Sequence, residues 1–219
     1  TIANGLGSNF VYEVHALADK VYVATLNGLS ISTDGGATFV NKTVANGLGN
    51  NRVWDVFALG NNVYAATEGG LSISTDGGMS FFNRTTANGL GHNSVYGGVY
   101  VSGTTVFAGT ESGLSISTDG GQSFVNRTIA NGLGSNIVSG VSAVGQMVYV
   151  GTQEGFSLST DGGTTFLNRT TSHGLGSNNV RGVYSDGSKI YVATQGGLSI
   201  SIDGGMSFVN RTTANGLGD

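Results

Sequence analysis

Cysteine and proline are both absent from the 219 residues. Without cysteine there is no disulfide framework, no thiolate metal site and no thiol nucleophile, although the redox compartment stays open. Charge is scarce as well: charged residues make up 10% of the chain, only nine are Lys or Arg, and the formal net charge is -4. Arg84, Arg127, Arg169 and Arg211 recur at one repeat position, so no basic stripe exists for phosphate contacts and nucleic acid is not an expected partner. No run approaches the roughly 18 consecutive apolar residues of a membrane span, so no membrane insertion is expected. No long window carries a helical apolar stripe, which excludes helical solenoids. The sequence opens at Thr1 without an initiator Met or a leader and reads as processed, excised or engineered.

Glycine is what the chain has instead, 39 residues of it. It punctuates a tandem repeat in which Asp34, Asp76, Asp119, Asp161 and Asp203 follow at intervals of 42, 43, 42 and 42 residues. Asn-Gly-Leu-Gly starts at Asn4, Asn46, Asn88 and Asn131, becomes His-Gly-Leu-Gly at His173, and returns at Asn215 as a sixth copy. Within one unit, 11–17 is mostly apolar and Val21-Tyr22-Val23-Ala24-Thr25 is a continuous β-prone run, the pattern of strands covered on both faces. Leu29-Ser30-Ile31-Ser32 alternates large apolar with small polar residues, and Thr38-Phe39-Val40-Asn41 follows the turn at Asp34-Gly35-Gly36. Four short strands per unit of about 42 residues predict an all-β, five-bladed β-propeller of four-stranded antiparallel blades. The blades are expected near 8–43, 50–85, 92–128, 135–170 and 177–212 of a single domain spanning 1–219. Each unit begins before an innermost strand and ends after an outermost one. Closure would therefore lack a strand exchanged between terminal blades, and blade-on-blade packing or a second chain would have to complete the ring.

Every turn reads Ser-x-Asp-x-Gly-x-x-Phe, from Ser32 to Phe39 and again from Ser74 to Phe81, Ser117 to Phe124, Ser159 to Phe166 and Ser201 to Phe208. Asp can accept hydrogen bonds from turn amides, Gly can take positive φ, and the aromatic can anchor the hairpin. A structural role is therefore expected for these Asp residues rather than calcium binding or catalysis. The motif resembles the Asp-box, or bacterial neuraminidase repeat, over the whole chain. For Asp-box sialidases the resemblance implies an arginine cluster with a Tyr/Glu pair and an acid, usually on six blades. This chain departs from that pattern: four arginines and Lys42 share one outer-strand position and are expected to point around the rim, where charge discourages edge-to-edge association. Asn-Gly-Leu-Gly-x-Asn-x-Val, followed by Val-Tyr-Val-Ala-Thr-x-x-Gly-Leu, also resembles the propeller repeats in sensor regions of bacterial two-component regulators, which implies an extracytoplasmic or secreted bacterial setting. Asn41, Asn83, Asn126, Asn168 and Asn210 each open an Asn-x-Thr sequon, whose number repeat copying explains without glycans.

Positions at which the copies disagree are either drifting or specialised. Phe10, Arg52, Ser94, Ile137 and Asn179 share one position at the start of the innermost strand; Tyr12, Trp54, Tyr96, Ser139 and Arg181 share another, with Glu13 and Asp55 beside them. The loop before the third strand varies as Leu26-Asn27, Glu68-Gly69, Glu111-Ser112, Gln153-Glu154 and Gln195-Gly196. Both sets are expected to border the face opposite the boxes. Tyr12, Arg52, Trp54, Asp55, Glu68, Tyr96, Glu111, Glu154 and Arg181 are therefore the candidate ligand-binding residues, lining a central funnel suited to a polar ligand such as a sugar stacked on an aromatic. Neutral variation around a narrow channel filled by the aromatics is the competing reading. His15, His92 and His173 fall at different repeat positions, so no metal site is expected. No G-x-S-x-G elbow occurs and the many Ser residues belong to third strands, so neither a catalytic residue nor a cofactor is expected. The expected function is a non-enzymatic scaffold for a glycan, peptide or protein ligand, as a monomer or a ring-sharing homo-oligomer. A recently amplified or engineered repeat protein without a ligand is the alternative; an Asp-box glycoside hydrolase or lyase is a weaker one.

Overall fold

The computed structural model describes residues 1–218. The first blade is built from β1 (Val11–Leu17), β2 (Lys20–Thr25), β3 (Gly28–Ser32) and β4 (Val40–Lys42), paired antiparallel in chain order. The pattern repeats in the second blade (53–59, 62–67, 70–74, 82–84), the third (99–102, 105–110, 113–117, 125–127), the fourth (138–144, 147–152, 155–159, 167–169) and the fifth (180–185, 190–194, 197–201, 209–211). All five sheets hold only consecutive strands, so no strand passes from one blade to another. The architecture is all-β, with five four-stranded antiparallel blades, as predicted.

Local chemistry fixes each blade. The β2–β3 turn closes when Thr25 Oγ1 donates to the Gly28 carbonyl at 2.7 Å. Gly28 sits at φ 117°, and a Cβ there would run into the Lys42 carbonyl, so only glycine fits. In the box, Asp34 accepts from Ser32 Oγ at 2.7 Å, from the Thr38 amide at 2.9 Å and from Thr38 Oγ1 at 2.6 Å. Ser32 Oγ in turn accepts from the Gly36 amide at 2.8 Å. These donors hold the Asp34 carboxyl well below the usual carboxylate range, the Ser32 hydroxyl first among them; Asp76, Asp119, Asp161 and Asp203 are lowered in the same way. Every box carboxylate is thus consumed by its own turn.

Successive blades pack face to face. Tyr22, Ala24, Leu29 and Ile31 on the trailing face of blade one meet Val53, Val56, Ala58 and Val63 on the leading face of blade two, and Leu48 of the linking segment seals the seam. Equivalent clusters join blades two to three, three to four and four to five. Burying each Leu or Val there contributes about 1.5–3 kcal/mol. The linking segments, each a single 3-10 turn followed by Gly-Leu-Gly, act as straps. Each strap docks on the blade that follows it: the Phe81 amide donates to the Asn46 carbonyl at 2.9 Å. The Gly49 amide donates to Ser72 Oγ, Ser72 Oγ to Asn83 Oδ1, and Asn83 Nδ2 to the Gly69 carbonyl, at 2.9, 3.0 and 2.7 Å. This relay recurs in all five blades, so the sequon asparagines hold strap to hairpin with both ends of their amides engaged.

One expectation needs correction. The outer-strand arginines are not simply edge charges: Arg84, Arg127 and Arg169 each donate Nε to a glycine carbonyl in the next blade's box, Gly121, Gly163 and Gly205, at 2.9 Å. They are inter-blade ties. Lys42 has no Nε to donate, and the first seam holds a depression of ≈ 180 Å³ between Lys42, Gly78 and Met79. The third blade also departs from the others. The extra residue behind its 43-residue interval lies just ahead of the innermost strand, which is cut to Val99–Ser102, with Gly98 at φ 82°.

Candidate functional site

The five innermost strands converge on a channel of ≈ 280 Å³ whose wall includes Glu13, Trp54, Asp55, Tyr96, Ser139 and Arg181, at least one residue from every blade. Because the side chains of a strand alternate between faces, equivalent positions in successive blades repeat the same outlook onto the axis. Tyr12, Trp54 and Tyr96, equivalent in blades one to three, therefore form a row. Tyr12 and Trp54 have ring centroids 4.8 Å apart and Trp54 and Tyr96 5.3 Å, the second pair edge to face. Tyr12 and Tyr96 keep exposed surface, whereas Trp54 is half-buried between them. Its Nε1 is buried without a hydrogen-bond partner, an uncommitted donor of the kind that usually finds one.

Arg52 lies over the Trp54 ring, 5.3 Å from its centroid, and its Nη1 is 2.6 Å from Glu68 Oε1. Opposite charge and stacking together fix the guanidinium beside the row. Asp55 faces the channel but is already engaged: its Oδ2 accepts from the Val99 amide at 2.8 Å, and Oδ1 from its neighbour Val56 at 2.6 Å. The Val99 bond crosses to the third blade at the point where the extra residue interrupts the strand, and a Cβ on Gly98 would press on the same carboxylate. Burial pushes the Asp55 carboxyl up to about 6, and the nearby Glu13 charge adds to the rise.

The remaining candidates lie away from this centre. Glu111 accepts from Ser94 Oγ at 3.1 Å and pairs with His92 at 3.7 Å. With Tyr96, Ile137 and Gln153 it borders a second depression of ≈ 310 Å³ between blades three and four. Glu154 is exposed on its loop and lines neither hollow. The structure thus gathers Trp54, Asp55, Tyr96 and Arg181 in the channel, sets Tyr12, Arg52 and Glu68 beside them, and leaves Glu111 and Glu154 apart. Glu13, outside the candidate set, lines the channel as the repeat equivalent of Asp55, a signal present in the alignment of the copies. Ser139 lines it too, and its Oγ donates to the Val180 carbonyl at 2.6 Å. Among the described residues no group of three or more His, Cys, Asp or Glu could hold a metal ion, and no helix is long and apolar enough to cross a membrane.

No family model matches the chain, and no curated protein matches it. Solved structures do share its fold. The extracellular domain of a hybrid two-component system from B. thetaiotaomicron superposes with a TM-score of 0.78 at 20% identity, over 95% of this chain and 31% of that one. A GH74 enzyme from Niastella koreensis does so with 0.64 at 25% identity, over 93% and 37%. YCF48 bound to a D1 peptide gives 0.61 at 20%, over 86% and 63%. This chain spans less than two thirds of the length of each. The class that these likenesses define is a β-propeller array, found both in sensor domains and in enzymes.

Proposed function

We propose that this array is a non-enzymatic binding module that takes a polar ligand, an oligosaccharide foremost, across the Tyr12–Trp54–Tyr96 row at the mouth of the channel. The observation that carries the reading is that row: three aromatic rings in contact, the outer two with exposed surface, flanked by the Arg52–Glu68 pair. Sugar rings stack on aromatic faces while their hydroxyls meet side-chain donors and acceptors. An extracytoplasmic setting fits the likeness to an extracellular sensor propeller. A hydrolytic reading draws on the GH74 likeness and on Glu13 and Asp55 sharing the channel. It is weaker because both Asp55 oxygens are bound to backbone amides.

The chain has one Trp, so ligand binding at the row reads directly in intrinsic fluorescence. Titration with a panel of soluble oligosaccharides is expected to quench or shift that emission at micromolar to millimolar concentration, and Trp54→Ala to abolish binding measured by calorimetry. An unchanged spectrum with every glycan, and equal calorimetric silence with peptides, would sink the proposal. Release of reducing ends from a polysaccharide, lost in Asp55→Asn, would transfer the site to the hydrolytic reading.

A further inference from the structure

The seams between blades have two unlike halves, and the described residues carry one unmated copy of each. On the leading face of blade one, Val11 and Val14 are 43% and 51% exposed, whereas their equivalents Val53 and Val56 in the first seam are 0% and 2%. At the other end, Tyr191, Leu198 and Ile200 of blade five lose the full burial of Tyr22, Leu29 and Ile31, and Ala193 is exposed where Ala24 is buried. The last strap repeats the contrast: Leu217 is 39% exposed and Leu48 4%. A Cβ on Gly47 would strike the Phe81 backbone of the next blade, but one on Gly216 meets nothing within 4 Å. Arg211, equivalent to the three inter-blade arginines, is exposed as well.

There are six straps for five seats. The seat on blade one is filled by the chain's own first strap, with the Phe39 amide donating to the Asn4 carbonyl at 2.8 Å. Thr1, like Thr170 of the fifth strap, makes no side-chain cap bond, whereas Thr212 accepts from the Ala214 amide at 3.3 Å in the sixth strap, as Thr43 does from Ala45 in the second. N-cap bonds of this kind stabilise a turn measurably.

We propose that the 219-residue chain associates head to tail with a second copy of itself. Blade five packs its trailing face on the second copy's blade one, and the strap at Thr213–Gly218 displaces that copy's Ile2–Gly7 from the seat at Phe39. The junction then reproduces the seam that the chain already makes four times, with Arg211 reaching the Gly36 carbonyl as Arg84 reaches Gly121. Two unlike complementary faces on one chain generate closed rings or open filaments. The proposal rests on the blade faces alone and is independent of what the channel binds.

Sedimentation velocity of the 22.2 kDa chain over a hundredfold dilution series tests it. Species larger than one chain are expected to appear with concentration. Deleting residues 1–7 empties the seat and is expected to lower the half-association concentration at least tenfold. Leu217→Asp, whose side chain lies outside every core cluster of the single chain, is expected to raise it at least tenfold while leaving circular dichroism and melting of the monomer unchanged. A single-chain species at all concentrations for both the parent and the deletion would overturn the proposal. So would association that neither the deletion nor Leu217→Asp shifts.

Discussion

The two ends of each blade handle their carboxylates in opposite ways. At the box end, five aspartates sit in identical turns, each taking hydroxyl and amide donors from its own hairpin, and their pKa values are lowered. At the funnel end, Asp55 is one of a kind: it bridges to another blade, burial dominates its environment, and its pKa is raised to about 6. Copying preserves a group whose partners lie within its own repeat, because the partners are copied with it. A group that bonds across blades to an irregular strand has no such insurance, and there the units diverge.

The largest effect is expected from breaking a box. Asp119→Ala strips the acceptor from Ser117, Gln122 and Ser123 in the middle blade, and thermal unfolding should show a drop in midpoint larger than for any single funnel substitution. A midpoint unchanged by it would erase the contrast between the two ends.

The pH dependence is next and has opposite signs at the two ends. Unfolded, the box carboxyls titrate near 3.8, and folded, lower. Their stabilisation is therefore complete above that value and lost as pH falls below it. Asp55 has its folded pKa above its unfolded one, so protonation favours the fold. Stability contributed by this group is present below about pH 4 and lost as pH rises through about 6. Denaturant melts of the parent and Asp55→Asn between these values should diverge, with the variant lacking the decline; parallel curves would show that burial at Asp55 is not felt. The smallest effect is expected for Arg52→Ala, whose ion pair with Glu68 is 40%/37% exposed and contributes about 0.2–1 kcal/mol. A larger loss would mean that the guanidinium braces the aromatic row.

What could be read from the sequence follows the same division. The period, the four strands and the box were legible because each is a local pattern repeated five times, and alternation in β3 together with Gly35 and Gly36 leaves little choice of structure. The outer arginines were misread as edge charges because their acceptors, such as Gly121 for Arg84, lie 37 residues away, and no local pattern reports an angle between blades. Likewise the sequon asparagines showed their spacing but not their relay. The 43-residue interval was plain, yet its lodging at Gly98, and the recruitment of Asp55 to the Val99 amide, depend on packing between blades. At the funnel, the equivalence of Tyr12, Trp54 and Tyr96 put the aromatic row within reach, whereas nothing in the varying loop distinguished Glu154, exposed and lining neither hollow, from Glu68 beside the row.

The straps also bear on how such arrays change over generations. Each strap caps one blade's outer strand and seals the next blade's leading face, so the joint between units lies inside a segment repeated with little change along the chain. Unequal recombination in the gene, adding or deleting one period in register, would insert or remove a blade whose two faces already fit their neighbours. Blade number can then vary by whole steps with no new interface to invent, leaving the funnel residues as the part on which novelty must act.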